Sequence, residues 1–170
     1  MLECFVLGEK SEISYEEVED KKAPEGMKLA SNKGIEYKFY VPKAWITDPE
    51  DDLTYAYYPE SERSNVTVTS FVPDSSMSVN DYFEKCELEY KELFGESYTR
   101  VSGPDARKVS GKSAHSYTYT FKAEGVDMKI MQTIFVVDSS FYAITYTARA
   151  DKFDSHLDDV ESMVDSFKLR

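Results

Sequence analysis

The sequence predicts an α+β fold in which an antiparallel sheet of about six strands is flanked by helices. Residues 113–149 have the pattern of three long strands in a row, turned at Glu124-Gly125 and again at 138–140. One amphipathic helix follows this block and another precedes it. The 13 Tyr and 10 Phe of the 170 residues also favour sheet. Strands joined by such short turns run antiparallel, so the sequence predicts helices packed on the faces of a meander.

The chain is divided at residue 22. Residues 1–22 are acidic with few apolar anchors, which predicts a mobile or loosely packed N-terminal arm. Residues 23–170 are predicted to form a single domain, since their number suits one hydrophobic core. Its first strand is predicted over 35–41, where Ile35, Tyr37, Phe39 and Val41 alternate with polar or amphipathic neighbours, as in a half-buried strand.

A hairpin follows that strand. Residues 53–60 and 65–73 are predicted to pair as antiparallel strands. Trp45, the single tryptophan, lies just before them, and its two interpretations are a plug at one end of the core and a ligand-stacking side chain. Between Trp45 and the hairpin lies an acidic loop over residues 48–52.

The first helix is predicted to begin after Ser78, with Asp81 completing a capping box, and to end at Gly95. Cys86 lies on its apolar side, which predicts a buried thiol, while a disulfide with Cys4 is the alternative. Residues 97–111 are predicted to hold one or two short strands separated by Gly103-Pro104. The apolar stripe of the helix consists of Val79, Tyr82, Phe83, Cys86, Tyr90, Leu93 and Phe94.

The second strand of the meander, residues 126–137, carries apolar side chains on both faces, which predicts a central position covered on each side. The last helix is predicted over 151–167, with Asp151 as its N-cap. Its core stripe consists of Phe153, Leu157, Val160, Met163, Val164 and Phe167.

Charge and motif content exclude several function classes. A net charge of −12 opposes binding to nucleic acid and to anionic lipid. No apolar run reaches the roughly 20 residues that a membrane span needs, and the first ten residues do not have the pattern of a signal peptide. Gly-rich phosphate loops, dinucleotide fingerprints and nucleophile elbows are absent from the sequence. We therefore expect no catalytic residues and no cofactor.

The candidate binding residues lie around the hairpin. The four carboxylates of the acidic loop over 48–52 are spaced closely enough to bind calcium. Their spacing is not that of an EF-hand, and a solvated turn is the simpler interpretation. His115 and His156 stand alone, so each is interpreted as a structural histidine in preference to a metal ligand. The candidate metal ligands are Asp48, Glu50, Asp51 and Asp52, and the candidate ligand or partner surface consists of Trp45, Tyr55, Tyr57 and Tyr58.

Several motifs together resemble the PsbP-like family. They are IEYKFYVPKAW, NVTVTSF, ARKVSGKSAHSYTYTF, MKIMQTIFVVDSSFYAITYTA and FDSHLDDVESMVDSFK, within about residues 23–168. The resemblance implies an antiparallel sheet of about six strands between helices, an α/β/α sandwich. The lead-in APEGMKLASN is most similar to bacterial, clostridial-type extracytoplasmic lipoproteins of this group.

The resemblance implies no shared enzymatic activity. Its plant members are extrinsic subunits of photosystem II, and a related eukaryotic fold binds a small GTPase. We therefore expect a non-enzymatic extracytoplasmic binding or scaffold domain, secreted or held as a lipoprotein, that binds an unknown protein or envelope component. We expect a monomer that touches the membrane only through a lipid anchor outside this chain. The alternative is a small-molecule or divalent-cation binding protein with a cleft lined by Trp, Tyr and acidic side chains.

Overall fold

The computed structural model describes residues 23–59 and 63–170. The predicted N-terminal arm and Cys4 lie outside the described residues, so the boundary at residue 22 stays a prediction. The strands are β1 (Met27–Leu29), β2 (Tyr37–Lys38), β3 (Tyr40–Pro42), β4 (Ile46–Thr47), β5 (Thr54–Tyr57), β6 (Asn65–Phe71), β7 (Thr99–Val109), β8 (Lys112–Ala123), β9 (Val126–Val137), β10 (Ser140–Arg149) and β11 (Lys168–Leu169). The helices are α1 (Val79–Phe94) and α2 (Leu157–Ser166), with 3₁₀ turns at Gly95–Ser97 and Phe153–His156.

The main sheet is antiparallel and has the strand order β4-β5-β6-β10-β9-β8-β7. The predicted fold class is therefore confirmed, with seven strands where about six were expected. Strands β7 to β10 form the predicted meander, and β6 pairs with the outer side of β10 along its whole length. Two small pairs, β1 with β3 and β2 with β11, lie outside this sheet.

One face of the sheet, which we call the α2 face, carries the larger core. Val66, Val68, Ile144 and Phe135 project from the strands of this face and are all but fully buried. Helix α2 covers them with the predicted stripe, of which Phe153, Val160, Met163, Val164 and Phe167 are buried. The apolar surface removed from water is the main force that holds α2 to the sheet.

The opposite face, the α1 face, carries an aromatic core. Phe83 stacks on Tyr117 with ring centroids 3.7 Å apart, and Phe94 stacks on Phe121 at 3.8 Å. Between them Tyr90 stacks on Tyr119 at 5.0 Å. Helix α1 thus runs along β8, and the two faces of β9 are both buried, as predicted for a central strand.

Helix α1 has the ends that the sequence predicts. The Ser78 hydroxyl accepts from the Asp81 backbone N–H at 3.0 Å, and the Asp81 carboxylate accepts from Ser78 N–H at 3.4 Å, so the capping box is complete. Gly95 ends the helix with a φ of 57°, a left-handed value that glycine adopts at little cost.

Three expectations are corrected. The predicted strand over 35–41 is not half-buried: residues 37–41 are all buried because β2 and β3 lie over the α2 face beside α2 and do not join the main sheet. Helix α2 does not begin after Asp151, since a 3₁₀ turn intervenes and His156 is its N-cap. Residues 99–109 form one irregular edge strand, whose register shifts on either side of Ser102, instead of one or two short strands.

Candidate functional site

The environment of Trp45 is an internal one. Its side chain is fully buried, and its indole Nε1 donates to Asp159 Oδ2 at 2.8 Å. The ring meets Tyr58 edge-on at 5.8 Å and His156 at 5.7 Å, and Tyr58 and His156 lie 4.1 Å apart. Buried Trp needs a hydrogen-bond acceptor for its N–H, and Asp159 on α2 provides it. Trp45 therefore plugs the end of the core, in agreement with the first of its two interpretations, and has no exposed surface for a ligand.

The acidic loop over 48–52 is exposed and organised by its own carboxylates. Asp48 Oδ1 accepts from Glu50 N–H at 3.0 Å, and Asp51 Oδ1 accepts from Leu53 N–H at 3.1 Å. Such side-chain-to-backbone bonds stabilise tight turns. Within residues 23–59 and 63–170, no group of three or more His, Cys, Asp or Glu side chains is placed to hold a metal ion. Metal binding by Asp48, Glu50, Asp51 and Asp52 stays a prediction.

The tyrosines of the predicted surface divide into two kinds. Tyr55 and Tyr57 project from β5 on the α1 face, with 38% and 39% of their surface exposed and ring centroids 5.8 Å apart. Tyr58 lies just past β5 and is half-buried against His156. The structure therefore brings Tyr55 and Tyr57 together at the surface and places Tyr58 beneath, with Trp45.

The strongest electrostatic site is one that the sequence analysis missed. Glu87 of α1 is 8% exposed, and its Oε1 accepts from Arg100 Nε at 2.8 Å and from the Tyr98 hydroxyl at 3.0 Å. Its Oε2 accepts from Arg100 Nη2 at 2.6 Å and from Lys91 Nζ at 3.3 Å. The hydrogen bonds from Arg100, helped by those from Tyr98 and Lys91, outweigh burial and lower the pKa of Glu87 to about 2.

This cluster ties α1 to β7. Every oxygen of Glu87 is occupied by donors from the protein, and the Arg100 guanidinium also lies 5.2 Å from the Phe83 ring centroid. Burial raises the pKa of the Tyr98 hydroxyl, which stays protonated and donates to Glu87. No sequence motif marks the pair, because Glu87 lies next to the apolar stripe and its partner is 13 residues away on a strand.

Cys86 lies on the sheet side of α1 and is fully buried. The expected free thiol is wrong, since none of the described residues is a free cysteine and Cys86 is disulfide-bonded. The predicted alternative, a disulfide with Cys4, involves a residue outside the described ranges.

A polar cleft of about 450 Å³ lies on the α2 face where α2 meets the edge strand β7. Arg107 spans it, donating from Nη1 to Glu161 at 2.9 Å and from Nη2 to Asp165 at 3.3 Å. Its floor includes Ser116, whose hydroxyl bonds with Thr133 at 2.8 Å. Arg107 is thus paired with two carboxylates of α2 across the cleft.

The fold and these sites allow comparison with known proteins. The family model described as PsbP matches residues 25–169. The chain belongs to the PsbP family. Helices long and apolar enough to cross a bilayer are not found among residues 23–59 and 63–170.

Individual relatives are distant. The "PsbP-like protein 1, chloroplastic" of Arabidopsis thaliana is 22% identical over 149 residues, which cover 85% of this chain but only 65% of that protein. The solution structure of cyanobacterial PsbP from Synechocystis sp. PCC 6803 superimposes with a TM-score of 0.62 at 12% identity, over 85% of this chain and 93% of the other. The crystal structure of LpqN, described as involved in cell envelope biogenesis of Mycobacterium tuberculosis, superimposes with a TM-score of 0.50 at 16% identity, over 88% of this chain and 82% of LpqN. At these identities the two structures establish the fold alone.

Proposed function

We propose that this PsbP-family chain is a non-enzymatic domain that binds or scaffolds another protein outside the cytoplasm. The observation that carries the proposal is the use of its polar groups. Glu87, Arg100, Trp45 and Asp159 are all engaged in contacts that join the helices to the rest of the fold. Several buried tyrosine hydroxyls are likewise bonded internally, Tyr146 to Phe153 O at 2.9 Å being one.

Catalytic sites combine a cleft with converging titratable groups whose pKa values are shifted for the reaction. Here Glu87 and Tyr119, whose pKa values are strongly shifted, lie in the α1–β7 contact and in the aromatic core of the α1 face, and neither lines the polar cleft at α2. Exposed apolar side chains, in contrast, stand on the β4–β5 hairpin, on β7 and on the outer side of α1, where Leu88 and Leu93 are 64% and 54% exposed. This division favours recognition of a partner over chemistry.

The location outside the cytoplasm, as a lipoprotein or a secreted protein, is supported by the chloroplastic relative and by the envelope role stated for LpqN. It is tested by fractionating the host cell and by labelling the native full-length protein with palmitate. Recovery of the protein in the cytosol would contradict this location. Recovery outside the cytosol without the palmitate label would contradict the lipoprotein form and favour the secreted form.

The binding role is tested by crosslinking the folded domain to host envelope extract, with an unrelated folded protein of equal negative charge as the control. We expect a protein that crosslinks to the domain and not to the control, at physiological salt. If both retain the same proteins, acidity alone explains retention and the proposed role is wrong.

A further inference from the structure

The outer hairpin of the sheet leaves apolar side chains in solvent. Ile46, Tyr55 and Tyr57 are 42%, 38% and 39% exposed. Burying such side chains is favourable, and isolated examples are common on protein surfaces. What distinguishes these three is that they are neighbours.

The strand register places them on one face. Ile46 is the cross-strand partner of Tyr57, and the row continues through Asn65 of β6 to Thr147 of β10. The adjacent row runs from Tyr55 to Thr67. We call this surface, formed by Ile46, Tyr55 and Tyr57 with Asn65, Thr67 and Thr147 behind them, the hairpin face.

Helix α1 leaves the hairpin face open. Its rings stack on β8, at Tyr117, Tyr119 and Phe121. Its first turn reaches β6 and β10 through Tyr82, which packs on Phe71 and Phe141, at the end of that strand pair opposite to Asn65 and Thr147. Asn65, Thr67 and Thr147 are half-buried, so their polar side chains are partly open to solvent. A sheet face with aromatic side chains at its border and threonines behind them is a surface to which another chain can bind.

The negative charge beside the hairpin face indicates which kind of partner it binds. Residues 46–57 contain four carboxylates and no basic side chain. All four, Asp48, Glu50, Asp51 and Asp52, are exposed in the loop that joins β4 to β5. That loop is held in place by its internal turns and by Asn32 Nδ2, which donates to Glu50 O at 3.2 Å. The negative field is therefore fixed at one end of the apolar side chains.

We propose that the hairpin face binds a basic segment of a partner protein, in which Lys or Arg side chains alternate with apolar ones. The apolar side chains pack on Ile46, Tyr55 and Tyr57, and the cations reach the loop carboxylates or lie over the tyrosine rings. The surface is small, so the complex is a weak, transient one. This inference rests on the proposed function and specifies where its partner binds.

A glycan is the competing occupant, because tyrosines on sheets also stack on sugars. The geometry favours the peptide. The Tyr55 and Tyr57 rings are inclined by 31° to each other and do not form one flat platform. The carboxylates gain Coulomb energy from a cationic chain, and they gain none from a neutral sugar.

The test uses a fluorescent synthetic peptide that alternates lysine with leucine, titrated into the folded domain at physiological salt. We expect Y55S/Y57S to weaken binding at least tenfold, and Y55F/Y57F, which keeps both rings, to bind within about twofold of wild type. Val101→Ser is the matched control, since Val101 is 54% exposed on β7 at the opposite edge of the sheet. It should bind like the wild type.

A second set of variants tests the contribution of the loop carboxylates to peptide binding. D48N/E50Q/D51N/D52N keeps the turn geometry and should also weaken binding at least tenfold. Neutralising four exposed carboxylates elsewhere should have a smaller effect; the control set is Asp74, Glu92, Glu96 and Glu124.

Three results would overturn the inference: no binding of the peptide, equal binding by Y55S/Y57S, or equal loss in both charge variants. Retention of the wild type, but not of Y55S/Y57S, by host envelope polysaccharide in a native gel would assign the face to a glycan instead. The proposed function is judged separately with the crosslinking assay. If Y55S/Y57S captures the same partner as the wild type, the protein-binding role stands and the partner binds elsewhere.

Discussion

Replacing Glu87 with Gln tests whether the α1–β7 contact stabilises the fold through charge. The Glu87 pKa falls from 4.5 to about 2 in the folded protein, and each pKa unit is worth about 1.4 kcal/mol. The whole shift therefore corresponds to about 3 kcal/mol as a ceiling. Arg100 and Lys91 are 27% and 55% exposed, so solvent screens the pair and we expect E87Q to lose about 2 kcal/mol at pH 7.

The pH dependence gives this prediction its specific signature. Because folding lowers the pKa of Glu87, its stabilisation is fully present above the unfolded value of 4.5 and is lost as the pH falls through about 2. The difference in unfolding free energy between wild type and E87Q should therefore shrink from about 2 kcal/mol at pH 7 to less than about 1 kcal/mol at pH 3. Other carboxylates titrate in both proteins and cancel in the difference.

Urea unfolding followed by the fluorescence of buried Trp45 measures both values. Glu92→Gln, an exposed carboxylate on the same helix, is the control and should cost less than about 0.5 kcal/mol at either pH. If the wild type and E87Q differ by the same amount at pH 7 and pH 3, the loss comes from packing or neutral hydrogen bonds, and the electrostatic reasoning is refuted.

Three further predictions concern the backbone, a helix cap and the tryptophan. Gly103→Ala should destabilise the fold by more than about 2 kcal/mol, because the position has a φ of +108° and a new Cβ would lie 2.6 Å from the Ser116 carbonyl oxygen. The control Gly111→Ala, at φ +77° with open space around it, should cost about 1 kcal/mol in the same denaturation assay. Equal losses in the two variants would contradict the steric argument. Ser78→Ala should remove the cap bond to Asp81 N–H and cost about 1 kcal/mol, with exposed Ser76→Ala neutral; a neutral Ser78→Ala would show that the capping box is unimportant. Trp45→Phe should cost about 2 kcal/mol by circular dichroism, since it leaves the Asp159 acceptor without the indole N–H, and Asp159→Asn, which keeps an acceptor, should cost less than Trp45→Phe.

Local pattern was enough for the elements whose partners are sequence neighbours. Residues 113–149 form three strands as predicted because alternation and short turns act within one meander. Helix α1 was predicted to its caps, since Ser78 and Gly95 act on the adjacent turn. The irregular strand β7 was not predicted as one strand, because the register shifts beside Ser102 depend on the pairing of β7 with β8.

Long-range contacts account for what the sequence could not predict. Residues 37–41 are buried because β2 pairs with β11 and β3 packs against α2, and both of these partners lie more than 100 residues later along the chain. Trp45 was expected to plug the core, but its acceptor Asp159, 114 residues away, has no local signal. Tyr55 and Tyr57 were predicted as a candidate surface, while Ile46 was missed since only the β4–β5 pairing places it beside them.

Because the sheet separates two cores, the helices on its two sides are held by different residues. Helix α1 is anchored by ring stacking and by the Glu87 cluster, whereas α2 is anchored by aliphatic side chains and by Trp45. Either helix can therefore loosen while the strands between them stay paired, which makes each a separate unit of local opening. Amide hydrogen exchange in β9, covered on both sides, then depends on opening of the whole domain, and that in α1 depends on the ring contacts and on the Glu87 cluster alone.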